Sequence, residues 1–235
     1  MCTVIIRVPE VVTEPIRLLA VRDEDPDRPW NPLGPWWSDR PGVVGVQDRL
    51  AGGAWLAARE DRLAVLLNRA GEPELPVEQI TSRGAIVLDA VVGVEPTAPS
   101  TLGFNLVTVA GGKVSVSSWD GRSLQVQGLA PGTHMVAHDD VDDRRTPRIA
   151  AWLDVFASAS TGGASGEWWR EWLEVLERSA RIGSDDDRAI IRDNRPHGYP
   201  TQSLLACVAT IDAGGSDVKY AELARPGKWS PLSFA

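Results

Sequence analysis

The stretch MCTVIIRVPEVVTEPIRLLAVRDE, residues 1–24, contains two apolar runs, CTVIIRV and IRLLAVRDE, separated by a turn with proline and glutamate. Short runs rich in valine and isoleucine predict two adjacent β-strands or a hairpin. Cys2 lies at the start of the first strand, and Arg22 and Asp23 lie at the end of the second. A hairpin would therefore bring Arg22 back beside Cys2 at one end of a sheet.

Further strands are predicted along the rest of the chain. AWLAA and LAVLLN flank the polar turn REDR between residues 54 and 68, and SLLACVATID and DVKYAEL flank Gly214 and Gly215. Between residues 103 and 138, the runs GFNLVTV, KVSVSSW, SLQVQGL and THMVAH predict a four-strand meander. These short connections favour antiparallel sheets.

Four segments have helical patterns, namely residues 83–92, 147–156, 166–180 and 184–194. The third places five large apolar side chains on one face, which favours packing against a core: Trp168, Trp169, Trp172, Leu173 and Leu176. The fourth begins with Ser and Asp residues, which are typical of helix N-termini. Because strands and helices do not alternate as βαβ units, we predict an α+β fold in one domain, residues 1–235.

Residues 25–45 combine restrictive prolines with three tryptophans. The residues concerned are Pro26, Pro29, Pro32, Pro35, Pro41, Trp30, Trp36 and Trp37. Loops held over a rigid scaffold commonly carry binding residues. We therefore expect this segment to be an irregular loop that borders a pocket at Cys2, with its tryptophans and Glu24 binding a ligand.

Composition limits the class of protein. The chain has 24 Lys and Arg residues against 32 Asp and Glu residues, a formal net charge of −8, which disfavours nucleic-acid partners. Two cysteines, Cys2 and Cys207, cannot form the disulfide framework of a small secreted domain. Asp89 interrupts the longest apolar run, so no membrane span is expected. We expect a cytoplasmic protein with a small-molecule substrate or ligand; nothing indicates its oligomeric state.

Cys2 has two interpretations. Removal of Met1 would leave Cys2 with a free α-amine, whose reference pKa of about 7.7–8.0 suits it to accept the thiol proton during attack. In that case Arg22 would favour the thiolate, and Asp23 would accept a hydrogen bond from the amine. Alternatively, Cys2 is a small apolar residue that begins a buried strand, and Arg22 and Asp23 form a structural ion pair.

Other polar residues are weaker candidates. Asn68 supplies an amide suited to an oxyanion hole or to a turn, and Asn105 ranks second for the same role. His134 and His138 share a face and precede several aspartates, but no third imidazole has suitable spacing, so we predict no metal site. Cys207 lies inside an apolar strand and is predicted to be inert core.

Several motifs in order resemble the NRDE family, also called the transport and Golgi organisation protein 2 family. They are MC at residues 1–2, VRDEDPDRPW at 21–30, GGAWLA at 52–57, LLNR at 66–69, SRG at 82–84, GFNL at 103–106, LAPGTHMVAH at 129–138 and GYPTQSL at 198–204. The resemblance implies a fold similar to N-terminal nucleophile hydrolases, a four-layer αββα sandwich of two antiparallel sheets. The Arg22, Asp23 and Glu24 triplet is kept, as are Trp55 and Asn105.

The sequence departs from the family pattern at three places. Val21 replaces the leading asparagine, Ala137 and His138 replace Ser-Asn, and Gln202 replaces an arginine. If the family residues line a substrate site, these changes alter what the site binds or remove its activity.

Two functions follow from the resemblance and from Cys2. The first is an N-terminal cysteine amidohydrolase acting on a small amide or acyl substrate, which needs no cofactor. The second is a non-catalytic carrier or chaperone for haem or an acyl or lipid-type ligand, since members of the family have been linked to haem movement and to lipid metabolism.

Overall fold

A computed structural model describes residues 2–162 and 166–235. Within these residues the strands are β1 (Thr3–Val8), β2 (Ile16–Glu24), β3 (Trp30–Gly34), β4 (Val44–Asp48), β5 (Ala54–Arg59), β6 (Arg62–Asn68), β7 (Phe104–Ala110), β8 (Lys113–Trp119), β9 (Leu124–Gly128), β10 (Gly132–Val136), β11 (Gln202–Asp212) and β12 (Gly215–Glu222). The α-helices are α1 (Gly84–Ala90), α2 (Pro147–Ser158) and α3 (Arg170–Ala180).

The strands form two antiparallel sheets. One has the order β10-β1-β2-β11-β12, and the other has the order β3-β4-β5-β6-β7-β8-β9. The first hairpin is confirmed, because β1 and β2 pair with Thr3 opposite Val21. The hairpins β5–β6 and β11–β12 are also as predicted.

Three apolar clusters show how the layers stack. The first lies between the sheets and includes Val4 and Ile6 of β1 with Leu56 of β5. The second packs α2 and α3 on the outer face of the five-stranded sheet, and the third packs α1 on the outer face of the seven-stranded sheet. Successive residues of β1 are therefore buried on opposite faces, as expected of a strand covered on both sides. The four-layer αββα sandwich is confirmed.

The predicted four-strand meander is wrong in its last strand. β7, β8 and β9 are consecutive neighbours, but β10 leaves that sheet and pairs with β1. Four of the five residues of β9 are exposed, whereas Met135 and Val136 at the end of β10 are fully buried. One face of β10 packs in the inter-sheet core and the other packs against the helical layer. A position beside the exposed strand β9 would not bury both faces.

Residues 25–45 are not wholly irregular. They contain β3, which is an edge strand paired with β4 through Trp30 opposite Asp48. Pro32 is tolerated there because an edge strand has one side without ladder hydrogen bonds.

The helix predicted at residues 184–194 is wrong, whereas the other three segments contain the helices α1, α2 and α3, of which α2 continues past residue 156 to Ser158. Turns occupy much of residues 184–194. Asp186 accepts hydrogen bonds from the backbone and side chain of Arg188, and Arg192 donates to the Asp186 carbonyl. Such local side-chain bonds compete with helical backbone bonds.

Two glycines bring α1 close to β5. A Cβ atom on Gly53 would lie 2.5 Å from the carbonyl carbon of Gly84, and a Cβ atom on Gly84 would lie 2.9 Å from the Cα atom of Gly53. Neither separation is tolerated by real side chains, so both positions require glycine. This contact fixes the start of α1, and with it Ser82 and Arg83, against the start of β5.

Candidate active site

A cavity of about 190 Å³ lies between the two sheets at the end where β1 begins. We call it the Cys2 cavity. Its lining residues are Cys2, Arg22, Asp23, Glu24, Arg28, Asp48, Ala54, Trp55, Leu66, Asn68, Ser82, Arg83 and Gly84. Six predicted site residues therefore meet at one cavity: Cys2, Arg22, Asp23, Glu24, Trp55 and Asn68.

Cys2 is held against the end of β2. The backbone N–H of Asp23 donates to Cys2 Sγ over 3.4 Å, and Sγ lies 3.6 Å from the Asp23 carbonyl oxygen. The residue is 7% exposed, and this burial raises the pKa of the thiol, with the Asp23 charge acting in the same direction. Arg22 does act to lower the pKa of the thiol, but its attraction is the smallest of these influences and desolvation outweighs it. Removal of Met1 concerns a residue outside the described ones.

Arg22 is buried beside Cys2 but is only partly paired. Its Nη2 atom lies 3.5 Å from Glu24 Oε2, and its guanidinium lies 5.8 Å from the ring centroid of Trp30. Among the residues that the structure describes, Arg22 Nη1 has no hydrogen-bond partner, and neither has Trp55 Nε1 on the opposite sheet. Buried donors are almost always paired in proteins, so two unpaired ones at one cavity need an explanation.

Asp23 is bonded on the helical side of its sheet. Ser203 Oγ donates to Asp23 Oδ1 over 2.5 Å, and the same hydroxyl accepts from the Arg192 backbone N–H. Arg148 of α2 donates to Thr3 Oγ1; its burial lowers its pKa to about 10, a shift that the Asp23 carboxylate opposes. Neither Ser203 nor Arg148 was predicted as a site residue, because both lie far from Asp23 along the chain. Ser203 lies within the motif GYPTQSL, which could have indicated it, whereas Arg148 lies in no such motif.

The far wall of the Cys2 cavity contains two more arginines. Arg28 donates to Asp48 Oδ2 from Nε at 2.9 Å and from Nη2 at 2.5 Å, which closes that pair. Arg83 donates from Nη1 to the Gly103 carbonyl over 3.0 Å, and burial lowers its pKa. Arg28 and Arg83 lie within the family motifs VRDEDPDRPW and SRG, so the motifs could have indicated both residues.

The two asparagines occupy different places. Asn68 is exposed at the end of β6 and lines the cavity. Asn105 is fully buried outside it; its Nδ2 donates to the carbonyls of Ala137 and Asp139, and its Oδ1 accepts from Ser118. The side chain of Asn105 therefore ties β7 to the segment after β10, and its amide is already occupied.

The tryptophans of residues 25–45 do not line the cavity. Trp30 donates to the Tyr220 hydroxyl, and Trp36 is 41% exposed and donates to the Pro32 carbonyl. Trp37 packs in the outer cluster with α1 and donates to the Gly52 carbonyl. The segment reaches the cavity through Arg28 instead.

The remaining candidates have local partners. His134 Nδ1 lies 2.6 Å from Asp142 Oδ2, and its Nε2 lies 2.8 Å from the Ala130 carbonyl oxygen. His138 Nε2 lies 3.3 Å from Asp139 Oδ2, and burial lowers the pKa of His138. Cys207 is fully buried core, as predicted, and burial strongly raises its pKa.

The αββα sandwich of two antiparallel sheets defines the class, a protein with an N-terminal nucleophile hydrolase-like fold. Cys2 immediately precedes β1 and borders the cavity between the sheets. A sequence profile of the Transport and Golgi organisation 2 family matches residues 1–196, and the chain belongs to that family. The resemblance found in the motifs is thereby confirmed.

Comparison with solved structures finds a Caenorhabditis elegans ortholog of N-acylethanolamine-hydrolyzing acid amidase. The two are 12% identical, the match covers 92% of this chain and 99% of that one, and the TM-score is 0.48. No curated protein matches the sequence. Across the described residues, no helix has the length and apolar character needed to cross a membrane.

Proposed function

We propose that the protein is an N-terminal cysteine amidohydrolase that acts on a small amide or acyl substrate, with Cys2 as nucleophile. The observation that carries this proposal is the position of Cys2, whose thiol borders the cavity while the Asp23 N–H donates to its sulfur. A backbone donor at that place stabilises negative charge that develops on the sulfur.

The raised pKa of the thiol makes a proton acceptor necessary. Removal of Met1 supplies one, the α-amine of Cys2, which takes the thiol proton as sulfur attacks the amide carbonyl. Collapse of the tetrahedral intermediate breaks the C–N bond, the proton passes to the leaving amine, and a thioester remains. Water then hydrolyses the thioester and restores the thiol. Asn68 is the proposed oxyanion donor, because its side chain lines the cavity and the amide of Asn105 is occupied.

The size of the cavity supports a small substrate. Pockets for drug-sized ligands measure about 300–1,000 Å³, whereas the Cys2 cavity measures about 190 Å³. A short amide suits this volume better than haem or a long acyl chain, so the carrier hypothesis gains no support at this site.

The test measures ammonia or amine release from a panel of short amides, together with the intact mass of the purified protein. We expect a mass without Met1 and a loss of turnover of at least about a thousandfold in Cys2→Ala. An added N-terminal extension that blocks the amine should have a similar effect. Cys207→Ala is the matched control and should retain turnover. Turnover that survives Cys2→Ala would refute the mechanism.

A further inference from the structure

We propose that the Cys2 cavity binds a carboxylate through Arg22 Nη1 and Trp55 Nε1, so that its substrates are small amides that also carry a carboxylate. This inference rests on the proposed function for the reaction, but the binding site itself is argued from the cavity alone.

The two donors are buried and unpaired. Arg22 is 3% exposed and Trp55 is 6% exposed, and both residues line the cavity. Across residues 2–162 and 166–235, neither Arg22 Nη1 nor Trp55 Nε1 has a hydrogen-bond partner. Leaving a buried donor unsatisfied is destabilising, and an acceptor oxygen of a ligand removes that penalty. A cavity whose buried donors lack acceptors is therefore complementary to a ligand that brings acceptors.

The two residues come from opposite sheets, each on the inter-sheet side. Arg22 of β2 is paired with Leu205 of β11, which belongs to the inter-sheet core, and Trp55 of β5 belongs to the same core from the other sheet. A ligand oxygen held by both would lie between the sheets at the end where Cys2 precedes β1. The carboxylate and the amide of one short molecule would then share a single cavity.

The charges of the lining favour a monoanion. Arg28 and Asp48 form a closed pair, and Asp23 accepts from Ser203 on the helical side of the sheet. Arg22 meets Glu24 only at 3.5 Å, longer than the 2.7–2.9 Å usual for a charge-assisted bond. A planar carboxylate matches an arginine fork. With the Asp23 carboxylate turned to the helical side, three arginines and two carboxylates remain in the lining, so a single negative charge completes the balance and a multiply charged phosphate is disfavoured.

This assignment gives Arg22 a different role from thiolate support. Among the influences on the Cys2 thiol, the attraction of Arg22 is the weakest, and burial prevails. Its Nη1 atom finds no acceptor among residues 2–162 and 166–235. Arg22 is thus placed as a substrate-binding residue, and Trp55 joins it as a specificity-determining one.

The first experiment measures binding to Cys2→Ala protein, which cannot turn the probes over. The probes are succinamate, its neutral analogue butyramide and the cationic β-alaninamide, titrated by calorimetry. We expect succinamate to bind at least tenfold more tightly than butyramide, and β-alaninamide to bind most weakly. Equal binding of succinamate and butyramide, or no binding of any probe, would overturn the proposal.

The second experiment assigns the effect to the two donors. Trp55→Phe and Arg22→Gln, each made in the Cys2→Ala protein, should weaken succinamate binding about tenfold or more and leave butyramide nearly unchanged. Trp172→Phe is the matched control, because Trp172 Nε1 is also buried and unpaired but belongs to the helical layer. Thermal melting identifies variants that fail to fold. If a folded Trp55→Phe variant binds succinamate as before, Trp55 is not a donor.

Turnover by the wild-type protein separates this inference from the proposed function. If succinamate binds selectively but no amide releases ammonia, the hydrolase proposal fails and the binding site stands. If butyramide and succinamate release ammonia with equal kcat/KM, the hydrolase proposal stands and the carboxylate site is refuted.

Discussion

Two polar regions of the sandwich differ in how completely their donors are used. In the first, the Cys2 cavity, Arg22 Nη1 and Trp55 Nε1 have no hydrogen-bond partner among the described residues. In the second, which we call the Asn105 network, Asn105 donates twice through Nδ2 and its Oδ1 accepts from Ser118. The types of residue alone do not reveal this difference, because both regions contain buried polar side chains. What distinguishes a region that can receive a ligand from one that stabilises the fold is whether its buried polar atoms already have hydrogen-bond partners.

The largest expected effect concerns access to the first region. We expect iodoacetamide to alkylate Cys2 at least about a thousandfold faster than Cys207 under native conditions. Cys2 borders a cavity, whereas Cys207 is fully buried in the middle of β11 and reacts only when the sheet opens, at a free energy near that of global unfolding. Peptide mass spectrometry over time measures both rates. Similar rates would show that the Cys2 cavity does not admit a reagent, and it could then not be a region that receives a ligand.

A pair of asparagine variants gives the next largest effect. Asn105→Ala should lower the free energy of unfolding by about 2–3 kcal/mol, because it leaves two backbone carbonyls and the Ser118 hydroxyl without their partner. Asn68→Ala, at an exposed position on the cavity, should change it by less than about 0.5 kcal/mol. Urea denaturation measures both values. A stable Asn105→Ala protein would contradict the structural role of the network.

The smallest effect is a pH dependence beside the Asn105 network. The hydrogen bond to Asp142 raises the pKa of His134 above its ordinary value of 6.5, although burial opposes the shift. Because the folded-state pKa is the higher one, the stabilisation is complete below the unfolded pKa and is lost as pH rises through the folded value.

Wild type should therefore exceed His134→Gln in stability by up to about 1 kcal/mol at pH 5.5, with a smaller difference at pH 8.5. Comparing the variant with wild type at each pH removes the opposite contribution of His138, whose pKa is lowered by burial. A difference that grows with pH would reverse the assigned sign.

Much of the fold was predictable because local patterns dictate it. The β1–β2 hairpin follows from two apolar runs and a short turn, and it placed Arg22 beside Cys2 correctly. The partner of β10 was not predictable in this way, since pairing with β1 joins residues more than 120 positions apart. Periodicity identifies a strand but not its neighbour, which depends on which sheet can bury both of its faces.

The site was predictable only in part. Motifs marked Arg22 and Trp55, but no motif reveals that Arg22 Nη1 and Trp55 Nε1 lack acceptors in the part of the chain that the structure describes. The tryptophans of residues 25–45 suggested a ligand platform, yet Trp37 proved to serve the outer cluster with α1. The turn at residues 184–194 likewise depended on Asp186 bonding to Arg188, a choice that cap preferences alone did not settle.

The contact between Gly53 and Gly84 fixes the position of one wall of the Cys2 cavity. Where side chains lie between two elements, they can change rotamer and widen a site for a larger ligand. Here two backbones are already in contact, so no rotamer change can widen the site at this wall. A ligand too large for the cavity would have to shift α1 away from the start of β5. This wall therefore limits the size of the ligand that can enter, before any reaction takes place. Even the methyl group of Gly84→Ala would displace Ser82 and Arg83 and change that size limit.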